Sequence, residues 1–326
     1  MIRESTPDGE RGRGRWFTAG LLLALILSVA LGGARAEASW LDLSFGDRGK
    51  VSGAPLGMDY DTWPDLGMSA VTQDRQGRIL VGHTWTIARL LADGTPDSEF
   101  GANGTVNFAE ALELEAGVLA DGVPMIRSIA VQPDGGIVVA GYTVSQVAIF
   151  MSPFLFRLNP DGTADRSFGR DGFMGGGDRR LSSELFVDMT LDSRGRILVA
   201  GPQYNVSVMV RRFTLDGQVD RTFGRNGRVR IQSKGIMAAH VLSSVLVERS
   251  GRILAGGTIR ARPVIVALRP NGRLDRRFGR RGFAWGIKVP PIKCDAYVEL
   301  CSIGDLVRTS NGRLVLGSMV TFNNWR

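Results

Sequence analysis

The sequence predicts an all-β fold built from repeated four-stranded units. Three observations predict it: a short motif that recurs five times, a glycine-turn motif that precedes four of these copies, and an apolar segment between the two motifs. Self-similarity at a fixed period is typical of repeat architectures. Together these features favour one repeat domain over two unrelated domains in the 326-residue chain.

The recurring motif, which we call the tail, contains an Asp, then Phe-Gly, then a second Gly three residues on. Its phenylalanines recur at equal steps, except for one longer step between the second and the third. They are Phe45, Phe100, Phe168, Phe223 and Phe278, and the aspartates of the four complete units are Asp97, Asp165, Asp220 and Asp275. An aromatic residue that recurs in this way suits the seam between stacked units, so we interpret these residues as structural.

The glycine-turn motif is typical of a β-hairpin. In each copy an apolar run leads to a polar turn, and a second apolar run follows. The turns end at Gly77, Gly135, Gly195, Gly251 and Gly312. The third apolar segment ends in Asp-Gly or Asn-Gly, which supplies the positive φ of a tight turn. With a fourth strand placed in the tail, near Phe-Gly, each unit becomes a four-stranded antiparallel blade, and the fold a β-propeller.

The number of repeat units predicts about five blades in a single domain over residues 37–326. Four units are complete, at about 66–107, 126–176, 186–231 and 242–286. The first tail, 41–51, has no hairpin before it, and the last hairpin, within 303–326, has no tail after it. We therefore expect the last blade either to be closed by the N-terminal tail strand or to be left incomplete, with an open strand edge.

The pattern of apolar run, Pro-Asp-Gly, Ile-Leu-Val-Ala-Gly, Arg-Leu, Asp-Gly, Leu-Asp and Phe-Gly resembles the delta-60 repeat family of bacterial secreted β-propellers. The resemblance extends from Leu41 to about Arg326. It implies a propeller but no activity, because the repeat carries no assigned catalytic residues.

The N-terminal segment 1–36 is typical of a secretory signal peptide. Arg11, Arg13 and Arg15 precede an apolar run from Trp16 to Leu31, and Ala-Arg-Ala follows it. The alternative is a membrane anchor, for which the run is short. We predict cleavage after Ala36 and a secreted or periplasmic protein that is not associated with a membrane.

The two cysteines, Cys294 and Cys301, lie close together in the sequence. In an exported chain such a pair is predicted to form a disulfide. A zinc site is the alternative, but further Cys or His ligands are missing nearby, and zinc normally takes four.

The net charge is +8, with the arginines scattered over turns rather than gathered in a basic block. Such a charge attracts polyanions at long range. No block of basic residues is interleaved with aromatic residues at a regular spacing, and we predict no nucleic-acid partner.

The connection 53–68 carries the candidate ligand-binding residues Asp59, Tyr60, Asp61, Trp63 and Asp65. Three close carboxylates suit Ca²⁺. Their spacing matches no calcium-loop pattern, so a solvated loop is the preferred interpretation, and we predict no cofactor or metal. The aromatic residues could instead form a platform for a sugar or a peptide.

Two other features admit both a functional and a structural interpretation. The connection 107–125 predicts a brief amphipathic helix acting as a lid, with Glu113 and Glu115 as candidate general acids. Arg89, Arg157 and Arg212 each precede a tail Asp at one constant spacing. They could line the central channel and bind an anion, or pair with that Asp across the strand 3–strand 4 turn, which we prefer.

From the sequence we predict an exported, non-catalytic, monomeric propeller that acts as a binding or scaffolding module for a protein or a glycan. Familiar catalytic fingerprints are missing from the sequence, so we predict no catalytic residues. The alternative is an extracellular hydrolase or lyase with its site on the loop face. Convergence of carboxylates, or of His83 and His240, in one pocket would favour the enzyme. A weaker option is anion binding by basic loops, which salt would abolish.

Overall fold

The computed structural model describes residues 42–51, 70–113, 122–145, 151–175, 184–203, 207–232, 240–259, 262–285, 298–309, 311 and 313–322. These ranges contain eighteen strands and one short helix. The strands form four sheets of four strands and one sheet of two, and every strand pairs antiparallel with its neighbour. The predicted all-β fold of four-stranded antiparallel blades is confirmed.

The first two blades each follow the chain order from the first strand to the fourth. Blade 1 consists of β1 (Ala70–Gln73), β2 (Ile79–His83), β3 (Thr86–Leu90) and β4 (Thr105–Asn107). Blade 2 consists of β5 (Gly122–Val131), β6 (Ile137–Ser145), β7 (Met151–Leu158) and β8 (Phe173–Gly175).

Blades 3 and 4 repeat this order, and the described residues of the last unit form two strands. Blade 3 consists of β9 (Asp188–Leu191), β10 (Ile197–Gln203), β11 (Ser207–Phe213) and β12 (Arg228–Gln232). Blade 4 consists of β13 (His240–Val247), β14 (Ile253–Ile259), β15 (Arg262–Leu268) and β16 (Phe283–Trp285). The last unit is the hairpin of β17 (Val298–Arg308) and β18 (Leu314–Phe322).

The first strands are the inner strands of the propeller, because they contact one another from blade to blade. β1 contacts β5, β5 contacts β9, β9 contacts β13, and β13 contacts β17. The hydrophobic clusters lie between consecutive blades. One joins blades 1 and 2, another joins blades 2 and 3, and a third joins blades 3 and 4. A blade therefore buries its two faces only by stacking on its neighbours.

The tail phenylalanines lie in these seams, as predicted. Phe100, Phe168 and Phe223 have no exposed surface. Each ring packs under the glycine of the next unit's Asp-Gly or Asn-Gly turn; a Cβ atom added at Gly217 would lie 2.7 Å from Cζ of Phe168. The fourth strand, which we placed near Phe-Gly, begins just beyond it, and Phe-Gly itself lies in a turn.

The N-terminal tail, residues 42–51, docks on blade 1 in the way that each tail docks on the following blade. The amide of Gly46 donates to the carbonyl oxygen of Asp93 at 2.7 Å, and that of Gly224 donates to Asn271 at 2.9 Å. The tail thus takes the place of a preceding blade's tail. A third strand that would join it to β18 is not among the described strands, so closure of the last blade by this tail stays a prediction.

The predicted helix in the 107–125 connection is α1 (Phe108–Ala111), capped by the side chain of Asn107. Phe108 is fully buried and stacks between Trp85 and Phe156, at centroid distances of 5.4 and 4.6 Å. The helix therefore plugs the outer part of the seam between blades 1 and 2. Glu113 is exposed and pairs with Arg166 at 3.2 Å, and Glu115 lies outside the described residues.

Several sequence predictions concern residues that the structure does not describe. The proposed signal peptide, 1–36, and the connection 53–68 with Asp59, Tyr60, Asp61, Trp63 and Asp65 lie outside the described ranges. Cys294 also lies outside them, so its pairing with Cys301 stays a prediction. Within the described ranges, no helix is long and apolar enough to cross a membrane.

Candidate functional site

Two of the three repeated arginines hold consecutive blades together, and all three bind the tail aspartate of their own blade. Nε of Arg212 lies 2.8 Å from the Oδ2 atom of Asp220, and Nη1 donates to the carbonyl oxygen of Pro270 in the next blade at 2.6 Å. Its guanidinium also lies over the ring of Phe223, 4.6 Å from the centroid. One side chain thus binds the aspartate and the phenylalanine of its own tail and the turn of the next blade.

The same arrangement recurs at Arg89, which pairs with Asp97 at 2.7 Å, lies over Phe100 and donates to Pro160 of the next blade. Arg157 pairs with Asp165 at 2.6 Å. The structural interpretation of these arginines is confirmed. Arg157 also pairs with Asp134 in the hairpin turn of its own blade. These ion pairs favour a framework role over an anion-binding ring in the channel.

In blade 4, Ala267 stands in place of the third-strand arginine, and Arg252 of the hairpin contacts the tail. It lies over Phe278 at 5.6 Å and 3.7 Å from Asp275. The four tail aspartates therefore all have an arginine partner, as expected of framework residues. Arg78 and Arg196, at the same hairpin position, also approach Asp97 and Asp220, at 3.7 and 3.3 Å. Asp275 therefore differs in lacking the third-strand arginine.

The inner strands form a second network, in which Asp188 joins three blades. Its Oδ1 atom accepts hydrogen bonds from the Ser128 hydroxyl of blade 2 and from the amide of Met189, at 3.2 and 2.7 Å. Its Oδ2 atom accepts from the amide of Val245 in blade 4 at 2.7 Å. Burial raises the pKa of Asp188 to about 6, and Asp305 of the last unit acts in the same direction.

A third arrangement departs from the repeat and is the candidate site. In blade 3, Arg211 on β11 lies opposite Arg228 on β12. The equivalent cross-strand pairs are Phe156 with Phe173 in blade 2 and Val266 with Phe283 in blade 4. Of these three blades, only blade 3 therefore has arginines at this pair of adjacent positions, which are apolar in the other two.

A buried carboxylate compensates the two arginines. Glu184, with 0% of its surface exposed, accepts two hydrogen bonds from Arg211, at 2.8 and 2.7 Å, and one from Arg228 at 2.6 Å. A bidentate arginine–carboxylate pair is strong and directional. Glu184 therefore fixes the position of both guanidinium groups at the floor of a cleft.

The cleft has a volume of about 960 Å³ and is strongly basic. Three further arginines line it, namely Arg221, Arg225 and Arg230, and all three are exposed. Nε of Arg230 donates to the hydroxyl of Ser207 at 2.8 Å. Glu184 neutralises one of the five guanidinium charges that line the cleft, so the cleft keeps a net positive charge.

Such a cleft is suited to an anionic group. Guanidinium groups offer paired N–H donors that match carboxylate, sulfate or phosphate oxygens, and a concave surface strengthens the field of like charges. The sequence-predicted ligand residues of 53–68 lie outside the described ranges. The described residues bring together no group of three or more His, Cys, Asp or Glu side chains that could hold a metal ion.

The sequence contained a signal for this cleft that single-residue reasoning missed. Aligning the units on their tail phenylalanines places Arg228 at the position of Phe173 and Phe283. A charged residue at an apolar repeat position marks a departure from the framework. The partner Glu184 follows no such rule, because it precedes the repeat unit and reaches the arginines only through the fold.

The histidines do not form a site in the described part of the chain. His83 is buried at the end of β2, with its Nδ1 atom 3.0 Å from the hydroxyl of Thr84. The structure does not describe the side chain of His240.

Comparison with known proteins supports the propeller architecture. Residues 132–168 and 195–223 match the model of a family described as a domain of unknown function (DUF5122) beta-propeller. Each matched segment runs from a hairpin turn to a tail phenylalanine. The delta-60 name stays a resemblance. No curated protein matches the chain significantly.

Solved structures with related folds show low similarity. A protein of unknown function from Bacteroides caccae is 16% identical, with a TM-score of 0.42 over 76% of this chain and 69% of that chain. A gluconolactonase from Xanthomonas campestris is 14% identical, with a TM-score of 0.41 over 76% and 68%. An endo-arabinase from Bacteroides thetaiotaomicron is 8% identical, with a TM-score of 0.43 over 80% and 95%. Similarity at this level assigns no activity to this chain.

Proposed function

We propose that the protein is an exported, non-catalytic β-propeller that acts as a binding module for an anionic partner. The observation that carries the proposal is the cleft of five arginines on blade 3, whose floor is fixed by Glu184. Export rests on the predicted signal peptide. The partner is a protein or a glycan that presents carboxylate groups.

The physical argument is that the buried ion cluster lowers the stability of the fold relative to an apolar seam. Burying Glu184 with its arginines requires desolvation, and apolar residues at such positions are commonly as stable or more stable. Blades 2 and 4 show that the fold accepts apolar pairs there. Retaining charge in blade 3 is explained if the exposed guanidinium groups bind a ligand.

The alternative function, a hydrolase or lyase, would draw its support from Asp188, since a raised pKa is characteristic of a general acid. Both carboxylate oxygens of Asp188 accept hydrogen bonds from the protein, and burial accounts for the raised pKa. This environment fits a residue that joins blades. We therefore favour the binding module.

The test measures binding of two polymers of carboxylates, polyglutamate and polygalacturonate, to the purified protein by isothermal titration calorimetry at low salt. The test variant is Arg221→Gln with Arg225→Gln, because both side chains are exposed in the cleft. The control is Arg194→Gln with Arg249→Gln, two exposed arginines of hairpin turns that remove the same charge.

We expect both polymers to bind, the cleft variant to lose at least about tenfold in affinity, and the control to lose much less. Binding should weaken as salt is raised, because exposed charges are screened over about 8–10 Å at physiological ionic strength. If neither polymer binds, or if cleft and control variants lose equally, the proposal is wrong.

A further inference from the structure

A second cleft occupies the equivalent place on blade 4. Phe283 and Trp285 lie on β16 at the positions that Arg228 and Arg230 occupy on β12, one repeat unit earlier. Trp285 lies opposite Val264 and Phe283 lies opposite Val266. Where blade 3 presents guanidinium groups, blade 4 therefore presents aromatic rings.

The two rings form one platform. Their centroids are 5.5 Å apart and their planes are inclined by 17°, so the rings are stacked. Phe283 is half-buried and packs against the hydrophobic cluster between blades 3 and 4, whereas Trp285 has 43% of its surface exposed. Phe283 thus supports the indole from below, and the exposed indole offers apolar surface to a ligand.

Three arginine side chains line the same cleft as the two aromatic rings. The cleft, of about 750 Å³, is also lined by Arg262, Arg280 and Arg281, all of which are exposed. None of the three has a carboxylate within ion-pair distance among the described residues. An aromatic surface with unneutralised guanidinium groups beside it is suited to a ligand that has an apolar face and a negative charge.

We propose that this cleft is a subsite for a sugar ring of an acidic polysaccharide. This inference rests on the proposed function and identifies its anionic partner as a glycan. The C–H bonds on the apolar face of a pyranose ring carry partial positive charge and complement the negative face of the indole. The carboxylate of a uronate residue accepts paired N–H groups from an arginine. Blade 3 then binds further carboxylates of the same polymer.

The platform separates this ligand from an acidic peptide. A polyglutamate chain supplies carboxylates but no flat apolar ring, so it should bind through charge alone. Predicted export favours a polysaccharide over a nucleic acid, whose bases would also stack on Trp285. Polyuridylate therefore serves as a third probe.

The experiment compares polygalacturonate, polyglutamate and polyuridylate by calorimetry on the purified protein and on Trp285→Ala. We expect the variant to lose about tenfold or more in affinity for polygalacturonate and to keep its affinity for polyglutamate. Trp285→Phe should retain most of the affinity. Leu215→Ala, which removes a comparably exposed apolar side chain from a turn of blade 3, is the control and should change neither.

The outcomes separate this inference from the proposed function. If polygalacturonate and polyglutamate both bind and Trp285→Ala affects neither, the subsite is wrong and the anion-binding module stands. If neither polymer binds, the proposed function fails and the subsite fails with it. If polyuridylate binds more tightly than polygalacturonate and depends on Trp285, the ligand class is wrong.

Discussion

The Nη1 atom of Arg228 lies 2.6 Å from the Oε1 atom of Glu184, a carboxylate with no exposed surface. Arg211 pairs with the same carboxylate from the neighbouring strand. Two arginines thus share one buried counter-charge, at a place where blades 2 and 4 have apolar pairs.

Replacing Glu184 with Gln should destabilise the protein by about 3 kcal/mol, because two guanidinium groups then lose their counter-charge in a buried setting. Urea denaturation followed by circular dichroism measures the change. The matched control is Glu113→Gln, whose carboxylate is exposed and pairs with Arg166, and whose loss should cost less than about 1 kcal/mol. If the two variants lose the same unfolding free energy, the buried position of Glu184 adds nothing to its contribution to stability.

Converting the site to the apolar pattern of blade 4 should separate stability from binding. The triple variant Glu184→Leu, Arg211→Val and Arg228→Phe removes the whole ion cluster and restores apolar residues. We expect the free energy of unfolding to stay within about 2 kcal/mol of the original or to rise. Affinity for polyglutamate should fall, since two cations leave the cleft. A folded variant with unchanged affinity would contradict the assignment of the cleft.

Arg212→Lys should lower the free energy of unfolding by about 2–3 kcal/mol, although the charge is kept. A lysine ammonium cannot reach Asp220, the Pro270 carbonyl and the Phe223 ring with one planar group as arginine does. Arg221→Lys, at an exposed position, should change it by less than about 0.5 kcal/mol. Thermal and urea unfolding of the two variants check this, and a tolerated Arg212→Lys would mean that charge alone joins the blades.

The raised pKa of Asp188, about 6 against an ordinary 3.8, predicts a stability that depends on pH. The folded protein binds this proton more tightly than the unfolded chain does. The contribution is therefore complete below about pH 4 and is lost as the pH rises through about 6, to an extent of up to roughly 3 kcal/mol.

Asp188→Asn should remove this slope between pH 4 and 7, measured as the difference in unfolding free energy between variant and original protein. The lowered pKa values of other carboxyls act in the opposite sense. For Asp220, burial raises the pKa, but hydrogen bonds from Thr222 and Arg212 outweigh it, so its contribution is lost as the pH falls below the ordinary value. The two carboxyl groups therefore act over different pH ranges. If the unfolding free energy of the variant keeps the same dependence on pH between 4 and 7, Asp188 is excluded as its source.

Much of the framework was predictable because it depends on local rules that repeat. Tail phenylalanines at regular steps, glycine turns and alternating apolar runs predicted four-stranded blades, and Phe100, Phe168 and Phe223 lie in the seams as expected. Asn107 and Phe108 similarly begin the predicted helix. The position of the fourth strand was less accurate, because the Phe-Gly turn is irregular and periodicity says little about it.

The candidate site was less accessible from the sequence, which pointed instead to the acidic and aromatic residues of 53–68. Arg211 and Arg228 lie on different strands, and Glu184 precedes the first strand of their blade. They meet because β11 and β12 pair in one register and because the segment before β9 returns to their face.

By itself, the sequence determined the repeat, the antiparallel four-stranded unit and the residues that fill the seams, since side-chain periodicity and turn chemistry act over a few residues. The tertiary structure alone decided that Arg89 and Arg212 join consecutive blades, and that blade 3 carries a basic cleft while blade 4 carries an aromatic platform. Charge pairing depends on distances across strands and between blades, and these distances exist only once the units are stacked.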